Sequence, residues 1–151
     1  MGLKIGDQVP ELSLKDEGDN EFSFRNTDKA IVVYFYPKDF TPGCTKEACG
    51  FRDSYEDFRD IGAEVIGVSS DSQESHSRFK AKHQLPFFLL SDPEKKARNA
   101  FGVKSNLLGL LPGRETFVFN KAGKLIFRFN SLNSSKHIDE ALKALRENLQ
   151  N

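Results

Sequence analysis

Tryptophan is absent, methionine occurs once, and cysteine occurs only twice in 151 residues. With 14 phenylalanines and 3 tyrosines, the aromatic content is almost wholly apolar, which speaks to core packing and not to function. Two cysteines are too few for the disulfide framework of a small secreted protein, and in a reducing compartment a close pair is more often catalytic or redox-sensing than structural. Net charge is missing too: 22 Lys and Arg balance 22 Asp and Glu, so no global field draws the chain to nucleic acid or to an anionic membrane surface. No apolar run approaches the roughly 20 residues that span a bilayer; Leu107-Leu108-Gly109-Leu110-Leu111 comes nearest and stops at Pro112. The first residues, Met1 to Asp7, contain neither the apolar stretch of a secretory signal nor the Arg- and Ser-rich character of a transit peptide. Gly6 stands where a myristoylation signal requires Ser or Thr. These absences predict a soluble protein of the cytoplasm, or of an organellar stroma if a transit peptide has been removed, with no nucleic-acid or membrane partner. The sequon at Asn133-Ser134-Ser135 is then a chance match.

The length suits one domain over 1–151, since typical domains run roughly 100 to 150 residues and can bury a proper core. There is no internal repeat, low-complexity tract or linker. Short segments at Glu11 to Lys15 and Glu21 to Arg25 flank Gly18-Asp19-Asn20 and predict an N-terminal β-hairpin. Ala30 to Tyr36 is an unbroken β-branched and aromatic run, as expected of a central strand covered on both faces. From Cys44 the apolar positions Ala48, Phe51, Tyr55 and Phe58 fall at helical spacing, predicting one helix to about Gly62. Ala63 to Ser69 reads as a second buried strand. Asp71 with Glu74 resembles a capping box for a helix to about His83, Phe87 to Leu90 reads as a strand, and Asp92-Pro93 as the cap of a helix through Phe101. Thr116 to Asn120 and Lys124 to Phe129 form an expected hairpin around Lys121-Ala122-Gly123, followed by a helix with Ile138, Ala141, Leu142, Leu145 and Leu149 on one stripe. This order predicts an α/β fold with helices on both faces of a mixed central sheet, and a thioredoxin-like architecture fits it.

The segment Pro37-Lys38-Asp39-Phe40-Thr41-Pro42-Gly43-Cys44 joins a buried strand to a helix, the place in α/β sheets where reactive groups gather. A cysteine in the first helical turn meets unpaired backbone N–H groups and the positive end of the helix dipole, both of which favour its thiolate. Thr41 can turn its hydroxyl toward the same spot. An arginine would complete such a site by stabilising the thiolate and the charge developing on a leaving oxygen, and Arg114 is the candidate.

In this setting P-x-x-x-T-x-x-C resembles the active-site signature of peroxiredoxins. The finer pattern Thr41 to Cys49 with Phe51-Arg52-Asp53, together with Leu90-Ser91-Asp92, Leu111-Pro112-Gly113-Arg114 and His137-Ile138-Asp139-Glu140, is similar to the peroxiredoxin Q, or bacterioferritin comigratory protein, subfamily. The resemblance spans nearly the whole chain. It implies that Cys44 is the peroxidatic thiolate, that Thr41 and Arg114 orient the peroxide, that Pro37 shields the pocket, and that Cys49 is the resolving cysteine. The implied activity is reduction of hydrogen peroxide and organic hydroperoxides by a monomeric enzyme with no cofactor and no metal, recycled by thioredoxin or a similar dithiol protein. Phe40 departs from the polar residue usual in related sequences and predicts a more apolar pocket rim.

Residues five apart on a helix are separated by roughly 8.6 Å between Cα atoms, beyond the ~7 Å that a disulfide tolerates. A Cys44–Cys49 bond therefore requires the first turns of the helix to unwind. Without the Pro37 and Thr41 context, both cysteines read equally well as small core hydrophobes. Metal binding is disfavoured because His76, His83 and His137 show no ligand spacing relative to them; His76 and His83 share a helical face with Phe79 and read as packing or solvent-edge residues. Arg114 on its own would be a surface or salt-bridging arginine and Thr41 a turn residue or cap, and the Leu107 to Leu111 stretch reads as core or a packed loop that could also line the pocket entrance or a partner-docking patch. Two other classes remain: a dithiol-disulfide oxidoreductase, which normally uses the closer C-x-x-C spacing, and a redox sensor or holdase whose disulfide switches a binding surface.

Overall fold

The computed structural model describes residues 2–25, 28–103, 105–106, 111–112, 114–131 and 134–149. In chain order the strands and helices are β1 (Ser13–Asp16), β2 (Glu21–Ser23), β3 (Ala30–Phe35), α1 (Pro42–Asp53), α2 (Tyr55–Asp60), β4 (Ala63–Ser69), α3 (Gln73–His83) and β5 (Phe88–Ser91). There follow α4 (Lys96–Phe101), β6 (Ser105–Asn106), β7 (Leu111–Pro112), β8 (Glu115–Phe119), β9 (Leu125–Asn130) and α5 (Ser134–Leu149).

Seven strands form one sheet in the order β2-β1-β5-β4-β3-β8-β9. β3, β4 and β5 run parallel, whereas β1, β8 and β9 pair antiparallel with their neighbours. The mixed sheet and the N-terminal hairpin match the expectation, with Asp16 Oδ1 accepting hydrogen bonds from the Gly18 and Asn20 amides to close the turn. All six residues of β3 are buried because the strand lies in the middle of a sheet covered on both faces. Its alternate side chains feed two cores. Val32, Tyr34 and Tyr36 pack with Ala48 and Phe51 of α1, Phe58 of α2, Phe79 of α3 and Ile138, Ala141, Leu142 and Leu145 of α5. Ile31, Val33 and Phe35 pack on the other face with Phe24, Phe117, Phe119 and Ala97 and Phe101 of α4. Gly67 on β4 leaves the room that the Tyr34 ring occupies, since a Cβ there would come within 2.9 Å of Tyr34 Cζ and Oη.

Three expectations need correction, and a fourth reading falls largely outside the described residues. The single helix from Cys44 to Gly62 is two, broken at Ser54, whose φ of −102° and ψ of 8° leave the helical basin. The cap of α3 is Ser72, whose Oγ accepts from the Ser75 amide at 3.1 Å, while the Asp71 carboxylate is committed elsewhere. Asp92 is not adjacent to α4: a turn through Lys95, at φ 60°, intervenes, and the carboxylate reaches over it to the amides of Ala97 and Arg98. The leucine-rich segment is bracketed by the short β6–β7 pair, although Leu107 to Leu110 themselves, the Leu149 side chain and Asn133 of the sequon lie outside the described residues.

Candidate active site

Thr41 occupies the N-cap position of α1 with extended φ and ψ, and Pro42 opens the first turn, where its missing N–H costs nothing. The first intrahelical bond runs from the Thr45 amide to the Thr41 carbonyl at 2.8 Å. Cys44 thus sits in the first turn, among backbone N–H groups that have no partner within the helix. It is 1% exposed.

Residue 114 meets residue 44 because of sheet topology. β8 runs antiparallel to β3, with Glu115 paired to Phe35, so the start of β8 lies at the same sheet edge as the end of β3, from which α1 departs. Arg114 Nη2 donates to Cys44 Sγ at 3.4 Å. Gly43 permits this approach, since a Cβ there would lie 3.1 Å from Nη2. The other fork of the guanidinium, Nη1, donates to Glu47 Oε1 at 2.5 Å, and Nε is buried without a partner among the described residues. Although desolvation opposes it, the charges of Glu47 and Cys44 raise the Arg114 pKa above its ordinary value, so the guanidinium is a fixed cation.

Glu47 is fully buried one helical turn beyond Cys44. Burial pushes its carboxyl up to about 8, against the pull of Arg114. Its second oxygen stands 3.7 Å from His137 Nδ1. His137 Nε2 is 2.7 Å from the Ser131 carbonyl, which can only accept, so Nε2 carries a proton and Nδ1 accepts from the Thr116 hydroxyl. Burial, with Arg114 adding to it, lowers the His137 pKa and keeps this imidazole neutral.

A second buried group fastens the loop that carries Pro37 and Thr41. The Asp39 carboxylate accepts from Tyr36 Oη at 2.6 Å and Ser75 Oγ at 2.8 Å, and lies 2.7 Å from His76 Nδ1. The Asp39 amide donates to Asp71, which also accepts from the Ser69 hydroxyl. His76 Nε2 faces the Leu90 carbonyl at 3.0 Å and must donate to it, which leaves one further proton lying between Nδ1 and Asp39. Asp39, Asp71 and His76 have the composition of a metal-ligand cluster, but their donors and acceptors already satisfy one another.

The structure thus brings Arg114 against Cys44. Pro37 is half-buried on the loop before α1. The Thr41 hydroxyl donates to the Lys38 carbonyl at 2.8 Å and so keeps its lone pairs to accept from a ligand. Cys49 is not paired with Cys44: both thiols are free, and Cys49 Sγ points to His83 Nδ1 at 3.8 Å. Phe40, at φ 66° and 43% exposed, packs edge-on against Phe79 of α3. Sequence reading missed Glu47, Asp39, His76 and His137 as supports of the site. The E at the third position after Cys44 was a usable signal, being one turn away on the same helix face.

Residues 5–128 match the AhpC/TSA family. The chain is 52% identical over 144 residues to chloroplastic peroxiredoxin Q of Sedum lineare, covering 93% of this chain and 77% of that protein. It belongs to the peroxiredoxins. Among solved peroxiredoxins, peroxidoxin BcpB of Mycobacterium tuberculosis superposes with a TM-score of 0.87 at 35% identity, covering 96% of this chain and 97% of the other. The bacterioferritin comigratory protein of Xanthomonas campestris, described for its alkyl peroxide reduction activity, gives 0.85 at 32% identity, with coverage of 94% and 99%. The fold is therefore thioredoxin-like, and the chain is a peroxidase that reduces hydroperoxides. Among the described residues, no helix is long and apolar enough to cross a membrane.

Proposed function

We propose that this peroxiredoxin reduces hydrogen peroxide and organic hydroperoxides through Cys44 and resolves the product with Cys49, in one chain and without a cofactor. The observation that carries the reading is the Arg114 guanidinium against the Cys44 sulfur at the opening of a helix. The Cys44 thiolate attacks one peroxide oxygen, the O–O bond breaks, and the departing oxygen leaves as water or an alcohol after taking up a proton. Arg114 stabilises both the attacking sulfur and the charge building on the leaving oxygen. The Thr41 lone pairs accept from the peroxide hydroxyl, and Pro37 limits the entry of water.

Cys49 then condenses with the Cys44 sulfenic acid, and a thioredoxin-like dithiol reduces the disulfide. Since α1 is continuous from Pro42 to Asp53, its first turns unwind in every cycle. Alkyl peroxide reduction by the Xanthomonas relative supports the organic substrates, and the chloroplast location of the Sedum relative supports an organellar stroma as one of the two expected compartments. The monomeric state is part of the same proposal.

Two variants test it in a thioredoxin-coupled peroxide assay. Cys44→Ser is expected to abolish peroxide consumption, and Cys49→Ser to react once and then depend on added thiol. Full coupled turnover by Cys49→Ser would refute the role of Cys49.

A further inference from the structure

Cys49 has a base beside it. His83, the last residue of α3, places Nδ1 within sulfur hydrogen-bonding distance of Cys49 Sγ, 3.8 Å away. The contact is held from both sides. The Arg52 guanidinium, one turn after Cys49, donates through Nη1 to the His83 carbonyl at 2.9 Å, and the His83 ring packs edge-on against Phe79 with centroids 5.1 Å apart. His83 is half-buried, so it can exchange protons with water, and Cys49 is half-buried too.

We infer that His83 is the general base of the resolving step, taking the Cys49 proton as Cys49 attacks the oxidised Cys44. This rests on Cys49 being the resolving cysteine. In the step, the Cys49 sulfur attacks the sulfenic sulfur, the S–S bond forms and the S–O bond breaks. The Cys49 sulfur is oxidised and the sulfenic sulfur reduced. The Cys49 proton passes to His83 Nδ1, the departing hydroxide takes up a proton and leaves as water, and His83 returns to its neutral form through solvent. Histidine suits the role because its proton comes and goes near neutral pH.

The arrangement also decides which half of α1 moves. Phe51 stacks on Tyr34 at 4.6 Å in the core, and Arg52 is tied to α3. Unwinding at Pro42 to Cys44 therefore delivers Cys44 to a Cys49 that stays beside its base. Among the described residues, the charged groups near His83 include Arg52, paired with Asp53, on α1, and Lys80 and Lys82 on its own helix, of which Lys80 is paired with Glu17 and Lys82 lies over the Phe40 ring.

Stopped-flow measurement separates peroxide attack from disulfide formation. In His83→Gln the second step is expected to slow about tenfold at pH 7, and the gap to the wild type is expected to close in alkaline solution, where hydroxide replaces the missing base. The loss should be confined to that step, and added imidazole should restore part of it in His83→Gly. Equal rates at pH 7, or a defect that persists unchanged at alkaline pH, would overturn the role. If a variant does not fold, the wild-type second step decides instead: it should run about twofold slower in heavy water, as proton transfer to a base within the step requires, whereas an equal rate in heavy water contradicts the inference. Absence of any Cys44–Cys49 disulfide in the wild-type protein after peroxide treatment would remove the resolving role itself, and this inference with it, which separates that failure from the failure of His83 alone.

Discussion

Arg114 Nη2 stands 3.4 Å from Cys44 Sγ while Nη1 of the same side chain holds Glu47, so one planar fork bridges the Cys44 sulfur and a buried carboxyl on the same helix. A lysine offers a point charge and cannot span both. Arg114→Lys is therefore expected to lower kcat/KM for peroxide about 100-fold, read from initial rates. A value within threefold of wild type would show that charge alone suffices.

Gly43 tests the same contact without touching a charge. A methyl group added there would press on Nη2 from 3.1 Å, and a small displacement of a group that acts on the reacting atoms is costly. Gly43→Ala should lose about tenfold in peroxidase rate while its urea midpoint changes little, because position 43 is an exposed site in the first helical turn.

Glu47 and His137 make stability depend on pH in opposite senses. The Glu47 carboxyl sits at about 8 in the fold against an ordinary 4.5, so its proton stabilises the folded state below 4.5 and that contribution is lost as pH rises toward 8. His137, lowered from 6.5 by burial, releases its proton on folding, so its effect is to raise stability as pH climbs to about 6.5. Between pH 6.5 and 8 only the Glu47 effect remains. Glu47→Gln should flatten the decline in unfolding free energy over that window, measured by urea titration; an unchanged slope would mean that Glu47 is ionised throughout.

The Asp39–His76 pair is wholly buried. His76→Ala leaves Asp39 without that partner inside the protein and is expected to cost about 3 kcal/mol in urea unfolding. It should also raise amide exchange in the loop that carries Pro37 and Thr41. A loss under 1 kcal/mol would show that the loop is held by other contacts.

How much of this was legible in sequence follows from where each signal is local. β3 and β4 announce themselves as continuous β-branched runs because both faces are buried. Cys44 and Thr41 stand out because a strand end, a proline and a helix start are adjacent in the chain. The break at Ser54 carries no such mark: the apolar spacing runs smoothly from Phe51 to Phe58 across it, with no Gly or Pro between. Asp71 and Asp92 look like simple caps, yet one carboxylate is drawn to Ser69 and Asp39 and the other reaches across a turn. Contacts such as Asp39 with His76, or Cys49 with His83, depend on how α3 lies against the sheet, and residue spacing does not encode that.

The central claim is that peroxide oxidises the buried Cys44 sulfur first and that Cys49 then bonds to it. Mass spectrometry with peptide mapping after one equivalent of hydrogen peroxide tests this directly. The account predicts a Cys44–Cys49 disulfide within one chain in the wild-type protein and a single added oxygen on Cys44 in Cys49→Ser. Oxidation appearing first on Cys49, or a Cys44 left unmodified while peroxide is consumed, would contradict it.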